Sequence, residues 1–422
     1  MYWFDPTIWA WGFFLSEWAI RLVMLVVVPF RRMPAAAKGW LLLIFFEPWI
    51  GLLLYVLIGQ SRMPRTRVEQ MARLPQVMAK VVQRVLNHPN VFHPELSPGL
   101  EWTGYLAEKL GRMPSLGGNA AEIMVDYDAI LARLVADIDQ ARSHVHLLYF
   151  IFVDDTATAP VIAALGRAAK RGVACRVLVD SLGSRAALPS LIRKLTALGV
   201  DIKQMLPVGL FVRNRARLDL RNHRKIAIMD GRIAFTGSQN LIAADFIAGI
   251  TFEELVLRLT GPAVLELQYI FAADWYLETN EVLESEDVFP GPEITGSIPI
   301  QVLASGPDFP TQNNQRFIVA LIHSARKRIK IHLYQKNFLH AKFLTIDDSI
   351  GLVGTSNIDI RSFVLNAELL LVMHDPGMTS RLQAEQQRYI AHCRSLDLQR
   401  WQQRPFWIKL AEHLARLLSP LL

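Results

Sequence analysis

Cysteine is nearly absent from this chain of 422 residues, with Cys175 and Cys393 the only two. Their settings, GVACRVLVD and IAHCRSL, read as a buried strand and a helix, so neither a disulfide framework nor a zinc site is implied. The opening apolar stretch lacks a basic leader and a small-residue cleavage site, and a second apolar segment follows at once, so a cleavable signal peptide is not expected. Charged residues are sparse at 20%, against 52% hydrophobic. Mean hydropathy is +0.24, unusually high for a chain longer than one ordinary domain.

Much of the apolar excess lies at the start. Residues 8–30 and 39–59 are each about long enough to cross a bilayer core as a helix. Trp3, Trp9, Trp11, Trp18, Trp40 and Trp49 fit an interfacial belt at the ends of such a hairpin. Glu17 and Arg21 stand four apart and neutralise each other, while Glu47 precedes Pro48 and is expected to face protein or a headgroup layer. Arg31, Arg32 and Lys38 lie in the connecting loop, and Arg62, Arg65, Arg67 and Arg73 follow the second segment, so the charge count favours a cytoplasmic catalytic part. The net charge of +7 draws the chain towards anionic lipid, and by itself would equally draw nucleic acid.

One short pattern occurs twice. His223, Lys225 and Asp230 stand in NHRKIAIMD, and His340, Lys342 and Asp347 stand in LHAKFLTID. Similar tails, GRIAFTGSQNL and DSIGLVGTSNID, follow the two copies, so a duplicated unit explains them better than chance. In each copy the His and Lys are two residues apart in an apolar run, which places both on one face of a strand. Two imidazoles and two ammonium groups brought face to face suit a phosphodiester: one histidine attacks phosphorus, the other protonates the leaving oxygen, and the lysines hold the non-bridging oxygens. That chemistry calls for no metal and no cofactor. Asp before Gly231 and before Asp348 is typical of a β-turn, so within the motif Asp230 and Asp347 are expected to be structural.

These motifs resemble the phospholipase D superfamily, whose signature is the duplicated HKD motif. YFIFVDD at 149–155, AAKRGVACRVLVDSLGS at 168–184, YQKNFLHAK at 334–342, GTSNIDIRSF at 354–363 and the SPLL ending look like bacterial cardiolipin synthases. The resemblance implies an α/β fold of two phospholipase D-type lobes, mixed sheets flanked by helices, after an N-terminal transmembrane helical hairpin. It implies that His223 is the nucleophile and His340 the general acid and then base. It also implies supporting roles for the polar residues Asn240 and Asn357 and for the carboxylates Glu254 and Glu368, the latter orienting the histidines by fixing their tautomer. For Glu254, beside Glu253, a strand-end surface charge is the alternative.

The implied activity is membrane-bound phosphatidyl transfer between two phosphatidylglycerol molecules, giving cardiolipin and glycerol. The implied location is the bacterial inner membrane as a multi-pass protein, with phosphatidylglycerol and anionic membrane lipid as partners, self-association possible and no nucleic acid expected. An aspartate-rich CDP-alcohol motif is missing, so a CDP-lipid donor with a divalent metal is not suggested. Rival readings are a hydrolase with water as acceptor and an inert relative that binds lipid or a partner.

Along the chain, the pattern divides into a hairpin (1–62), a connector (63–118), a first lobe (119–290), a second lobe (291–404) and a C-terminal amphipathic helix (405–422). The first lobe alternates strand 144–153, helix 160–171, strand 173–180, helix 187–198 and strand 200–205, a parallel α/β rhythm. The second lobe is short. With ARSHVH at 141 set against ARKRIK at 325, 78 residues separate Val145 from His223 but 11 separate Ile329 from His340, a difference of 67. About two strands and two helices are missing, which would expose sheet edges and remove a wall that positions one histidine against the other. In the last segment Trp407, Leu410, Ala411, Leu414, Leu417 and Leu418 form one helical stripe.

Overall fold

The computed structural model describes residues 6–32, 34–59, 65–93, 100–208, 219–291, 293–309, 311–324 and 332–418. The chain divides into two compact units: Met1–Pro64 with Arg217–Asp219 and Asp397–Leu422, and Arg65–Ala216 with Leu220–Leu396.

The smaller unit begins with α1 (Pro6–Arg31), α2 (Pro34–Phe46) and α3 (Pro48–Leu54), the last running into a π-turn at Tyr55–Gly59. Only α1 is long and apolar enough, among the described residues, to cross a membrane, and 11% of its apolar window is buried. The second apolar segment does not form the single membrane-length helix expected of it. Pro48 has no N–H to continue the ladder and restricts the residue before it, so the chain breaks at Glu47 (φ −131°, ψ 82°). The two pieces pack on each other. Trp40 meets Tyr55 edge-on at 5.3 Å, and a side chain at Gly51 would come within 2.7 Å of the Ile44 Cα. Glu17 pairs with Arg21 at 3.2 Å, and Arg21 also donates to the Phe45 carbonyl at 3.0 Å.

The larger unit opens with α4 (Arg65–Val77), α5 (Ala79–Leu86), the short β1 (Val91–Phe92) and α6 (Trp102–Gly111). Its first half then runs β2 (Ser115–Met124), α7 (Tyr127–Gln140), β3 (His144–Tyr149), α8 (Ala159–Lys170), β4 (Ala174–Asp180), α9 (Leu188–Ala197), β5 (Asp201–Met205), β6 (Arg221–Asn222), β7 (Ile226–Met229), β8 (Ile233–Gly237), β9 (Phe252–Glu253), β10 (Val256–Thr260) and α10 (Val264–Thr279). The second half runs β11 (Ile298–Ser305), α11 (Asn313–His323), β12 (His332–Tyr334), β13 (Phe338–Leu339), β14 (Phe343–Ile346), β15 (Ile350–Gly354), β16 (Asn366–Met373), α12 (Pro376–Ile390) and β17 (Cys393–Ser395). The chain ends in α13 (Leu398–Gln402) and α14 (Phe406–Leu418), which belong to the smaller unit. On α14, Trp407 and Leu414 are exposed, while the Leu417 and Leu418 side chains lie outside the described residues.

One sheet runs through both halves in the order β14-β15-β16-β11-β2-β10-β8-β7-β3-β4-β5. The halves join where β11 pairs antiparallel with β2. Outward from that seam, the first half continues through β10, β8 and β7 to β3, and the second through β16 and β15 to β14. The first half contributes seven strands to this path and the second four, among the described residues. The counterpart of β3 expected at 325–331 lies outside them. Along this path, among the described residues, β3, β4 and β5 pair in parallel, joined by the α8 and α9 crossovers, and the other neighbours are antiparallel, so the sheet is mixed.

Burial follows composition. β7 is an apolar run, β16 is apolar apart from Asn366 and Glu368, and both are buried along their whole length. α10 is apolar around most of its circumference and buries 13 of its 16 residues at the centre of the unit. Its polar exceptions all have partners. Glu266 accepts from the Val302 N–H (2.8 Å), and Gln268 bonds His144 and His146. Asp274 accepts from Asn222 and Arg224.

Candidate active site

The duplicated motif forms two extended segments, and each is held by the other half of the molecule. β6 pairs in parallel with the start of β16, and the His223 N–H then donates to the Ala367 carbonyl at 2.8 Å. β13 pairs in parallel with β9, and the His340 N–H donates to the Glu253 carbonyl at 2.9 Å. Both bridges end with a histidine beside a carboxylate of the opposite half. His223 Nδ1 lies 3.2 Å from Glu368, and His340 Nδ1 lies 2.8 Å from Glu254. A carboxylate accepting from Nδ1–H fixes the tautomer and leaves Nε2 with its lone pair for chemistry. Glu254 and Glu368 are buried, at 3% and 0% exposure, so the surface-charge alternative for Glu254 is set aside. Thr355 also donates to Glu368, at 2.5 Å.

The lysines repeat the same symmetry. Lys225 Nζ donates to the His223 carbonyl at 2.7 Å, and Lys342 Nζ donates to the His340 carbonyl. Each thus folds back over its own histidine's backbone. Burial pushes Lys225 down to about 7 and Lys342 to about 8, with the Lys342 charge adding to the fall at Lys225 and Glu368 and Glu254 opposing it at both. Burial likewise holds His223 and His340 below the usual histidine value; the lysine charges lower them further, and the carboxylates resist. At Glu368, burial alone would raise the carboxyl, but His223, Lys225 and Thr355 outweigh it and hold it below the ordinary range. The two cations so close together make a site that an anion would relieve.

The two motif aspartates do not join this cluster. Asp230 (φ 54°) and Gly231 (φ 61°) turn the hairpin between β7 and β8, and the Asp230 carboxylate accepts backbone N–H groups of Arg142, Ser143 and His144 at 2.8–3.2 Å. Asp347 (φ 47°) occupies the exposed turn between β14 and β15. Both aspartates thus stand in turns, as the residue after each suggested, and not with the histidines and lysines. They sit at the far ends of strands whose near ends carry the histidines. Asn240 is buried and accepts from the Ile151 N–H at 3.1 Å, bracing the first tail, while Asn357 is half-buried in the second.

Several residues that support the site have no signal in the motif itself. Asp274 of α10 accepts from Asn222 at 3.0 Å and Arg224 at 2.7 Å, the two neighbours of His223. Asp180, at the end of β4, accepts from the Asn222 N–H at 3.0 Å and from Arg221 at 3.3 Å. Phe150 meets the His223 ring edge-on at 5.0 Å and lies under the Lys225 ammonium. On the other side, Glu253 accepts from both Tyr334 and Asn337 at 2.7 Å, which fastens 334–341 to the first half. A charge inside the apolar run IFAADWYL, and an acidic doublet at 253–254, were the only sequence signs available.

Comparison with known proteins places this geometry. The family described as "Cardiolipin synthase, PLD-like domain" matches residues 134–275 and 297–390. The chain belongs to this family. It is 30% identical to cardiolipin synthase A of Pectobacterium carotovorum and 29% identical to that of Erwinia tasmaniensis, in each case over 99% of both proteins. Those alignments run over 485 positions, 63 more than the chain has residues. Among solved structures, the phosphatidylserine synthase of Haemophilus influenzae Rd KW20 superimposes with a TM-score of 0.53 over 76% of this chain and 100% of that one. At 14% identity, that likeness speaks for the fold alone. Both family segments carry one motif copy, so the crossed His–Glu pairs lie in the part that defines the family.

Proposed function

We propose that this cardiolipin synthase family member is a phosphatidyltransferase that joins two phosphatidylglycerol molecules into cardiolipin and releases glycerol. The crossed pairs carry the reading, because each histidine is held with Nδ1 on a carboxylate and Nε2 available. His223 Nε2 attacks the phosphorus of the first lipid, and the bond to the glycerol headgroup breaks as His340 hands that oxygen a proton. The product of this step is a phosphatidyl-histidine and free glycerol. A headgroup hydroxyl of the second lipid then loses its proton to His340 and attacks phosphorus, which returns His223 to its neutral form. Lys225 and Lys342 steady the charge on the non-bridging oxygens. Asn240 braces the first tail behind this cluster, and Asn357 lines up at the matching place in the second.

The reading takes α1 as a membrane-spanning anchor in a bacterial inner membrane, with the α2–α3 fold entering the bilayer beside it as a multi-pass arrangement. The basic residues after Gly59 favour a catalytic unit on the cytoplasmic side. It also takes 63–118 as a connector and the four-strand second half as a shortened lobe, in keeping with alignments longer than the chain. Self-association is a separate expectation, tested by the mass of the detergent-solubilised protein.

The decisive assay gives purified full-length protein phosphatidylglycerol without CDP-lipid and follows cardiolipin and glycerol. The expected result is one glycerol per cardiolipin and none from His223→Ala. Phosphatidic acid as the main product would make water the acceptor, and no turnover by the wild type would favour an inert lipid-binding relative.

A further inference from the structure

A cavity of about 370 Å³ lies in the larger unit between α4, α5, α10 and the loop 304–309. That is within the roughly 300–1,000 Å³ of pockets that hold small molecules. Met71, Leu74, Val82, Ile270, Ala273 and Phe309 supply its apolar lining. Its walls are fixed: buried Arg67 of α4 pairs with Glu278 of α10 at 2.5 Å and with Asp308 at 3.7 Å. It lies on the reverse side of the segment that holds His223, since Arg224 lines it while the side chains one residue to either side serve the site.

The charges of the lining leave one cation over. Asp274 is bound by Arg224 and Asp308 by Arg67, whereas Arg112, among the described residues, has no ion pair. It is an exposed residue that lines the cavity together with Tyr269, and its charge opposes the upward push of burial on the Tyr269 hydroxyl. Arg112 also stands at the C-terminal cap of α6 with φ 57°, a left-handed position where glycine or asparagine is the unstrained choice. A cation kept there against backbone strain, over an apolar cavity, is matched by an anionic headgroup above an apolar tail.

We propose that this cavity binds one acyl chain of an anionic phospholipid, with its phosphate on Arg112, as a lipid site separate from the two-histidine centre. The occupant presses on Arg224, whose guanidinium also holds the Glu368 and Ser305 carbonyls, so the lipid steadies the segment that presents His223.

The test uses full-length protein in detergent with phosphatidylglycerol carrying a photoactivated diazirine at the end of its acyl chain, and maps the labelled peptides. Labelling of 71–83 and 269–277 is expected. Ala273→Trp, which fills the cavity, should reduce it at least tenfold, as should Leu74→Trp from the opposite wall, each checked for unchanged thermal unfolding. If one variant fails to fold, the other decides. Arg112→Gln should cut labelling by the phosphatidylglycerol probe several-fold while leaving that by a diacylglycerol probe, which has no phosphate, unchanged. Labelling that avoids these peptides, or that survives the folded tryptophan variant, overturns the site. Equal loss with both probes in Arg112→Gln overturns the headgroup assignment. The readout needs no turnover, so an inactive enzyme that labels here refutes only the reaction, and an active enzyme that does not label refutes only this site.

Discussion

The two motif copies look alike and are scaffolded differently. His223 sits in the half with seven strands of the central path, and its neighbours Asn222 and Arg224 are clamped from behind by Asp180 and Asp274. His340 sits in the half with four among the described residues, and the segment before it is fastened to the first half through β9 and Glu253. The first histidine bonds to the second half through Ala367 and Glu368, and its two neighbours are anchored besides in their own half's core. The second is held by the partner half's edge. A pair of chemically equivalent sites does not require a pair of equivalent scaffolds, provided that each half supplies what the other lacks at the atoms that matter.

The comparison breaks most completely at the histidines. His223→Ala should abolish phosphatidyl transfer, a loss beyond about 10⁴-fold, while His340→Ala should cost roughly 10²–10⁴-fold as the loss of a general acid. Comparing initial cardiolipin formation in the two variants checks the order. Next comes the clamp. Asp274→Asn leaves Arg224 buried without its carboxylate and should destabilise the larger unit by about 3–5 kcal/mol, read by thermal or denaturant unfolding.

A smaller effect sharpens the asymmetry. Glu253→Gln keeps the backbone bridge but weakens the hold of Tyr334 and Asn337, and a misplacement on the order of an ångström costs up to about 10²-fold. The loss should fall on kcat with KM little changed. Glutamate at 253 also bears on how the second half works: equal tolerance of Glu253→Gln and of a surface control would show that the second half holds His340 unaided.

The mildest test is pH. In the proposed reaction Lys225 and Lys342 hold a phosphate only while charged, and burial lowers them to about 7 and about 8. Both are cations below their pKa and neutral above it, so kcat/KM should fall as pH rises through about 7–8. On the acid side, His223 must be neutral to attack, and its lowered value puts that limb below the ordinary histidine range. A profile flat from pH 6 to 10 would remove the lysines from phosphate binding.

How much of this was legible in the sequence depends on the kind of signal. The histidines and lysines were readable because a repeat marks equivalent positions at fixed spacings, whereas Glu254 and Glu368, 31 and 28 residues after their histidines, came from the family resemblance. The crossing of the pairs was not, since a repeat says which residues correspond and not which half each one faces. The β3–α8–β4–α9–β5 rhythm was readable from alternating apolar runs and helical stretches, and the hairpin turn from Asp230-Gly231. The second apolar segment misled because length and hydropathy ignore one residue, Pro48, which breaks the helix. Asp274 went unmarked because a lone charge in a buried helix has meaning only through the distant residues it reaches.

The central claim is that each histidine answers to the carboxylate of the opposite half. Its most direct test is the NMR titration of ring-labelled histidine in Glu254→Gln. Glu254 supports the charged form of His340, so its removal should move the His340 titration further below the usual value and leave His223 in place. Movement of His223 with His340 unchanged would mean that each half orients its own histidine, and the crossed arrangement would be wrong.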